Sequence, residues 1–246
     1  MPSLLTDPMT DLQTSTTQAD PDVHFVTDSR ASTAASLADS LMQEIISGHL
    51  KAGERLPETR LAKRMGASRN SVREAIRLLE QSRLVHYEMH RGSVVSKPNV
   101  ADLDDLYRTR LHLETTALNE PPAEKDLQAL HNAFESLVAA TKSHDSKLIV
   151  GADLEFHQAI VDLLDSERIS AFFAVLRKEL VFYLSVLSHE DQEFLYPEGP
   201  IIRSHRAIYE AVATGNLNLA IGLITEHIDD NHQRLRDILL RDADAQ

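Results

Sequence analysis

Hydrophobic residues recur along this chain with two different periods, and the changes of period mark its organisation. Residues 1–29 are rich in Thr, Ser, Asp and Pro and show little periodicity, which predicts a disordered tail. From Ala31 to Ser47, Leu37, Leu41, Ile45 and Ile46 fall at helical spacing. Gly48 and Gly53 end that helix and frame a turn. Glu58 to Met65 fits a short helix stopped by Gly66, and Ser68 is a good N-cap for a third helix through Gln81. Val72, Ile76 and Leu79 form its apolar line. From Leu84 to Ser96 the period shortens on both sides of His90-Arg91-Gly92, which predicts a β-hairpin. The order is helix, helix, helix, two-stranded wing.

After Pro98 the pattern is helical throughout. Helices are expected at about 102–119, 124–142, 146–164, 168–188, 200–213 and 217–241, with breaks at Pro121-Pro122, His144-Asp145, Asp165-Ser166, Pro197–Pro200 and Gly215-Asn216. Six helices with short connections predict an antiparallel bundle. The expected fold class is mainly α. A tail (1–29) precedes a winged helix-turn-helix (30–97) and a six-helix bundle (98–246).

Charge sharpens this division. The formal net charge of the 246 residues is −13, which on its own argues against nucleic acid as a partner. It is unevenly spread. Residues 1–29 hold five acids and no Lys or Arg; residues 30–97 hold 12 Lys+Arg against 7 Asp+Glu, net +5; residues 98–246 hold 13 against 26, net −13. A basic segment between acidic ones is a hint of nucleic-acid binding, although a +5 excess equally suits a solvated surface. Cysteine is absent, which excludes disulfides, thiolate metal sites and cysteine nucleophiles. No apolar run is long enough to span a bilayer, and the first residues lack the basic and apolar regions of a secretory signal. A cytoplasmic protein is expected.

The basic segment carries the chemistry for DNA. Recognition helices contact bases with their N-terminal residues, where Arg69, Asn70 and Arg73 lie. Arginine suits guanine and asparagine suits adenine, while Ser68, Ser71 and the free N–H groups of the helix start suit phosphate. Arg91 and Gly92 in the wing turn allow a close approach to the backbone or minor groove. A capped, solvated helix start would carry similar residues, but not the full order of elements with a basic wing.

In the bundle, Asp153 and His157 stand four residues apart on one helical face, and His205 and His227 lie on the apolar sides of the last two helices. Such groups suit one metal held between facing helices. The same spacing also suits a local hydrogen bond, a satisfied core histidine or a surface residue, in a region where histidine is abundant.

Two stretches resemble a known family. Leu50-Lys51-Ala52-Gly53-Glu54-Arg55-Leu56-Pro57-Glu58 and Ala67-Ser68-Arg69-Asn70-Ser71-Val72-Arg73-Glu74-Ala75-Ile76-Arg77-Leu78-Leu79-Glu80 resemble the winged-helix domain of GntR-family transcription regulators. The resemblance places Arg69, Arg73 and Gly92 on the DNA contact surface. Gln81-Ser82-Arg83 departs from the acidic residue and glycine usual there. Arg110-Leu111-His112-Leu113-Glu114, Asp153-Leu154-Glu155-Phe156-His157, Ser204-His205-Arg206-Ala207-Ile208 and Ala220…Ile224…His227 resemble the FCD ligand-binding domain of the FadR subfamily. Six helices resemble its VanR-like branch. Ser166 stands where members often carry Asn.

The resemblance implies that Asp153, His157, His205 and His227 bind a divalent transition metal, zinc or nickel, consistent with the preferences of imidazole. Two open positions of an octahedron would accept water or a small carboxylate effector. Arg110 would pair with that carboxylate, or form a surface ion pair with Glu114. The expected function is a metabolite-responsive regulator, a repressor by resemblance, that reads a palindromic operator as a homodimer. One alternative is a metal-dependent enzyme carrying a DNA-binding module. Its nearest general base, Glu155, points roughly 200° away from Asp153 around the helix. The other is a direct metal sensor.

Overall fold

The computed structural model describes residues 28–191 and 199–244; the expected tail lies outside them up to residue 27. Its first helix, α1 (Asp28–Ile46), starts two residues before the expected tail boundary. It is followed by α2 (Glu58–Met65), α3 (Arg69–Gln81), β1 (Val85–Glu88) and β2 (Gly92–Val95). The second part is α4 (Val100–Ala117), α5 (Glu124–Thr141), α6 (Ser146–Asp162), α7 (Glu167–Asp191), α8 (Pro200–Ala213) and α9 (Leu217–Asp244). The mainly helical fold, with one small two-stranded sheet, agrees with the class read from the sequence.

The apolar lines of α1 and α3 face each other. Leu37, Leu41, Ile45, Leu61, Val72, Ile76 and Leu79 share one core with Leu84 and Val85 of the wing. Each such side chain contributes about 1.5–3 kcal/mol by leaving water. Gly66 closes α2 in the left-handed region, φ +61, and Ala67 N donates to Ala62 O at 3.0 Å. That conformation costs an L-residue about 1 kcal/mol or more, so glycine suits the sharp turn into α3. The wing is antiparallel, with Val85 opposite Val95 and Glu88 opposite Gly92.

The second core runs through the bundle and includes Leu103, Leu130, Phe134, Leu154, Phe156, Phe173, Ile208, Ile224 and Leu235. Helix α6 lies between α5 and α7 and also touches α4; α8 and α9 pack together, and α9 packs along α4. The inner faces of α4, α6, α8 and α9 therefore surround one region. Capping fixes where these helices begin: Asn99 Oδ1 accepts from Asp102 N at 2.9 Å ahead of α4, and Asp145 Oδ1 from Lys147 N at 2.9 Å ahead of α6. No described helix is long and apolar enough to cross a membrane.

Candidate functional site

The start of α3 presents the polar group that the sequence predicts. Ser68 caps the helix, its Oγ accepting from Ser71 N at 3.0 Å and lying 2.8 Å from Ser71 Oγ. Arg69 and Asn70 are exposed on the first turn. Arg73, one turn on, is not free: its Nε and Nη2 donate to Glu58 at 3.1 and 2.9 Å. That fork ties α2 to α3, and the Arg73 hydrogen bond holds the Glu58 carboxyl below its ordinary range. In the wing, Arg91 Nη1 donates to Glu88 at 2.5 Å and Nη2 to the Gly53 carbonyl at 3.2 Å. Gly92 has φ +80 and opens β2. Ser68, Arg69, Asn70, Ser71 and Arg73 thus lie at and after the start of α3, and Arg91 and Gly92 in the wing turn, with Arg73 and Arg91 held by acids.

The bundle brings its four predicted ligands together. Asp153 and His157 come from α6, His205 from α8 and His227 from α9, and one potential ligand atom from each lies within 4.8 Å of the others. The rings of His157 and His227 stack at 5.2 Å; those of His205 and His227 are 4.6 Å apart, edge to face. Asp153 Oδ1 is 3.0 Å from His205 Nε2, and Oδ2 is 4.0 Å from His157 Nε2. Asp153 retains 13% side-chain exposure, while His157 and His205 have none.

Partners behind the rings set their direction. Glu114 of α4 is fully buried and accepts from His157 Nδ1 at 2.5 Å. The Ile201 carbonyl, one turn before His205, accepts from His205 Nδ1 at 2.7 Å. A carboxylate or carbonyl oxygen can only accept, so the ring proton of each sits on Nδ1. Each Nε2 then carries a lone pair, and both Nε2 atoms are buried without a hydrogen-bond partner. The 3.0 Å approach of His205 Nε2 to Asp153 Oδ1 sets two electron-pair donors face to face. A cation between them resolves this arrangement, so the residues fit a metal ion.

Burial favours the neutral imidazole at His157 and His227. Burial pushes His157 below its ordinary range, helped by Arg110 and opposed by Glu114. Burial likewise pushes His227 well below, reinforced by His205 and His157. Burial works to raise Asp153, but His205, His157 and Arg110 outweigh it and hold the carboxyl low. Neutral imidazole and ionised carboxylate are the forms that ligate metals.

Arg110 lies beside this cluster. Its Nε donates to Glu114 Oε1 at 2.7 Å, so the ion pair with Glu114 exists, but both side chains are wholly buried and the pair is not a surface one. Arg110 Nη1 and Nη2 are buried with no hydrogen-bond partner. A buried guanidinium with two free nitrogens is set up to receive an anion.

The sequence did not single out Glu114 as the partner of His157. The two are 43 residues apart, and only the packing of α4 against α6 joins them. Glu155 points outward, as its helical angle predicted, and pairs with Arg177. It offers no general base to the cluster. Ser166 Oγ accepts from Ile169 N at 3.4 Å and so caps α7. Arg83 adopts φ +56 and approaches Asp105 of α4 at 3.9 Å.

Comparison with known proteins matches two stretches of the chain. Residues 33–95 match the gntR family of bacterial regulatory proteins, and residues 105–230 match the FCD domain. The chain is 27% identical over 205 residues to the uncharacterised HTH-type transcriptional regulator YdhC of Bacillus subtilis (strain 168), covering 82% of this chain and 90% of that one. It is 25% identical over 219 residues to the gluconate operon transcriptional repressor of the same organism, covering 86% and 88%. The solved structure of a transcriptional regulator GntR from Rhodococcus sp. RHA1 superposes with a TM-score of 0.70 at 29% identity, covering 83% of this chain and 97% of that one.

Proposed function

Because the chain belongs to the gntR family of bacterial regulatory proteins, with an FCD domain after its winged helix, and is a transcription regulator rather than an enzyme, we propose that it is a cytoplasmic, metabolite-responsive repressor. As a homodimer it reads a palindromic operator. Arg69, Asn70 and Arg73 face base edges, Ser68 and Ser71 face phosphate, and Arg91 and Gly92 follow the adjacent groove. The similarity to a gluconate operon repressor supports the sign and the idea of an acid as effector.

The observation that carries the effector reading is one buried constellation. Two unpartnered imidazole Nε2 atoms and Asp153 form a metal-ligating set, and Arg110 beside them has two unpartnered guanidinium nitrogens. Asp153, His157, His205 and His227 hold a divalent transition metal, zinc or nickel by their donor set. When bound, that ion supplies a Lewis-acidic anchor for a ligand oxygen. Arg110 supplies the charge-assisted hydrogen bonds to the effector carboxylate, and Glu114 fixes both Arg110 and His157. The effector must bind one arrangement of the dimer better than another, and the difference in affinity is what shifts DNA binding.

The test has two parts. Selection from random DNA should recover an inverted repeat, and its affinity should fall steeply with salt. Metal analysis should give one ion per chain in the wild type and much less in His205→Ala. Recovery of no common sequence would overturn the operator assignment. Equal metal content in the two proteins would remove His205 from the site. If chelation alone releases the operator from otherwise folded protein, the metal itself is the signal.

A further inference from the structure

Away from the metal cluster, one helix of the bundle reaches the core of the DNA reader. Phe182 of α7 packs against the cluster that holds Leu41, Ile45, Leu84 and Val85, and among the described residues it is the one from the bundle that does so. Its neighbours Glu179 and Tyr183 line the seam between the two parts of the chain, together with Ile45, Leu84 and Pro98. The cavity left in that seam is about 20 Å³, too small for anything larger than a water, so the contact is closed. Tyr183 is buried, and its hydroxyl is hydrogen-bonded to the backbone of Asn99, the residue that caps α4. Helix α7 is therefore fastened both to the reader's core and to the connector that follows the wing.

Two charged side chains of the seam stand under strain. Arg83, in the turn from α3 to β1, has φ +56, a conformation that disfavours an L-residue with a long side chain. Its guanidinium reaches across to the bundle, 3.9 Å from Asp105 of α4. Glu179 is 9% exposed, and no described residue forms a hydrogen bond or ion pair with it. Arg83 favours its ionisation, and Asp102 and Asp105 of α4 oppose it. Lys97 and Tyr183 line the same cavity, and α1 contributes the apolar Ile45. Helices α6 and α9, which also pack on α7, add no charge there. Burial is the largest influence and, with the two aspartates, pushes the carboxyl up to about 7. Arg83 does not overcome it, because its guanidinium is largely in water and is shared with Asp105.

We propose that this seam is a proton-sensitive latch between the bundle and the DNA reader, closed while Glu179 is a neutral carboxyl and loosened when Glu179 ionises. An ionised Glu179 in the closed seam is a buried charge that faces two like charges and has no donor to satisfy it. Moving α7 away lets water reach the carboxylate, and the same movement withdraws Phe182 from the reader's core. The closed arrangement binds the proton more tightly than the open one, so it is favoured at low pH and loses its advantage as pH rises through about 7. Arg83 tunes the point of release: its charge makes ionisation of Glu179 easier, and its left-handed backbone is what points that charge at the bundle. The latch lies at the junction of the two parts of the chain, and it stands or falls independently of the metal and the effector.

The experiment uses the full chain, whose lack of cysteine allows a pair of spin labels at Lys63→Cys on α2 and Ala129→Cys on α5, both exposed positions. Labelled protein is diluted into unlabelled protein, so that each pair reports a distance within one chain. Pulsed electron resonance reads that distance between about pH 6 and about pH 8.5. With Glu179 and Arg83 intact, the distribution should be narrow at the lower value and broad at the higher one, with a midpoint near about pH 7. Glu179→Gln should stay narrow throughout. Arg83→Gln should stay narrow to higher pH, its midpoint rising by about half a unit or more. Phe182→Ala, shown to be folded by its calorimetric melt, should be broad at both ends. No change with pH in the labelled parent, or the same change in Glu179→Gln, overturns the latch. A narrow distribution in folded Phe182→Ala overturns it as well, and a midpoint that stays or falls in Arg83→Gln overturns the part given to Arg83. Should Phe182→Ala fail to fold, the comparison of Glu179→Gln with its parent still decides.

Discussion

Replacing Glu114 with Gln asks whether one buried carboxylate supports both the cation and the imidazole of the bundle site. Glu114 accepts from Arg110 Nε at 2.7 Å and from His157 Nδ1 at 2.5 Å, and no part of its side chain is exposed. Glutamine keeps the volume but offers one acceptor oxygen, and its amide N–H then faces the second donor. One donor loses its partner, and the buried guanidinium loses its countercharge. Breaking a buried pair from one side costs about 3–5 kcal/mol. At about 2–4 °C per kcal/mol for a chain of this size, the melting temperature falls by roughly 6–20 °C. Separately, a metal-ligating histidine that loses its orienting partner binds metal about 10–100-fold more weakly. Scanning calorimetry of metal-free and zinc-loaded protein reads the first effect, and competitive zinc titration reads the second. A melting temperature within about 2 °C of wild type together with unchanged zinc affinity would refute the role assigned to Glu114.

Arg69→Ala should abolish specific operator binding while leaving the circular dichroism melt unchanged; retained specific affinity in a gel-shift assay contradicts the assignment of α3. Gly66→Ala should cost about 1 kcal/mol in denaturant unfolding, from φ +61 alone, because a Cβ there meets no atom within 4 Å. A neutral effect would mean the turn relaxes. Glu179 on α7 has its carboxyl raised to about 7, first by burial, then by Asp102 and Asp105, with only Arg83 opposing. The folded chain binds the proton more tightly than the unfolded one, so stability is greatest below the ordinary value of 4.5 and is lost as pH rises through about 7. Glu179→Gln should flatten that window and raise stability at pH 8; a parallel pH profile in the variant counts against it.

Much of the fold was legible because local signals and tertiary packing agree. The N-cap at Ser68, the left-handed glycine at Gly66 and the switch of period after Leu84 each specify a boundary with short-range chemistry, and α2, α3 and the wing fall where those signals lie. The four candidate ligands were legible for the same reason: one pair is local to α6, and the other two histidines sit on apolar stripes that must turn inward. What was not legible is what only packing decides. The Arg110–Glu114 spacing reads equally well as a surface pair, and its complete burial depends on the packing of α4 against α6 and α9. The Glu114–His157 and Tyr107–His232 contacts join separate helices, and no spacing announces them. The Arg73–Glu58 fork likewise converts an expected free DNA-facing cation into one already held by the neighbouring helix.

In the proposed function the bundle site controls the DNA reader without being part of it. The most direct measurement is fluorescence anisotropy of a labelled, in vitro selected operator with metal-loaded wild type and His205→Ala, titrated with an acid that stabilises wild type in thermal shift. Both proteins should bind the operator with similar affinity in the absence of the acid, and only wild type should change its affinity as the acid is added. An equal response by His205→Ala, or no response by either protein to an acid that binds, would contradict it.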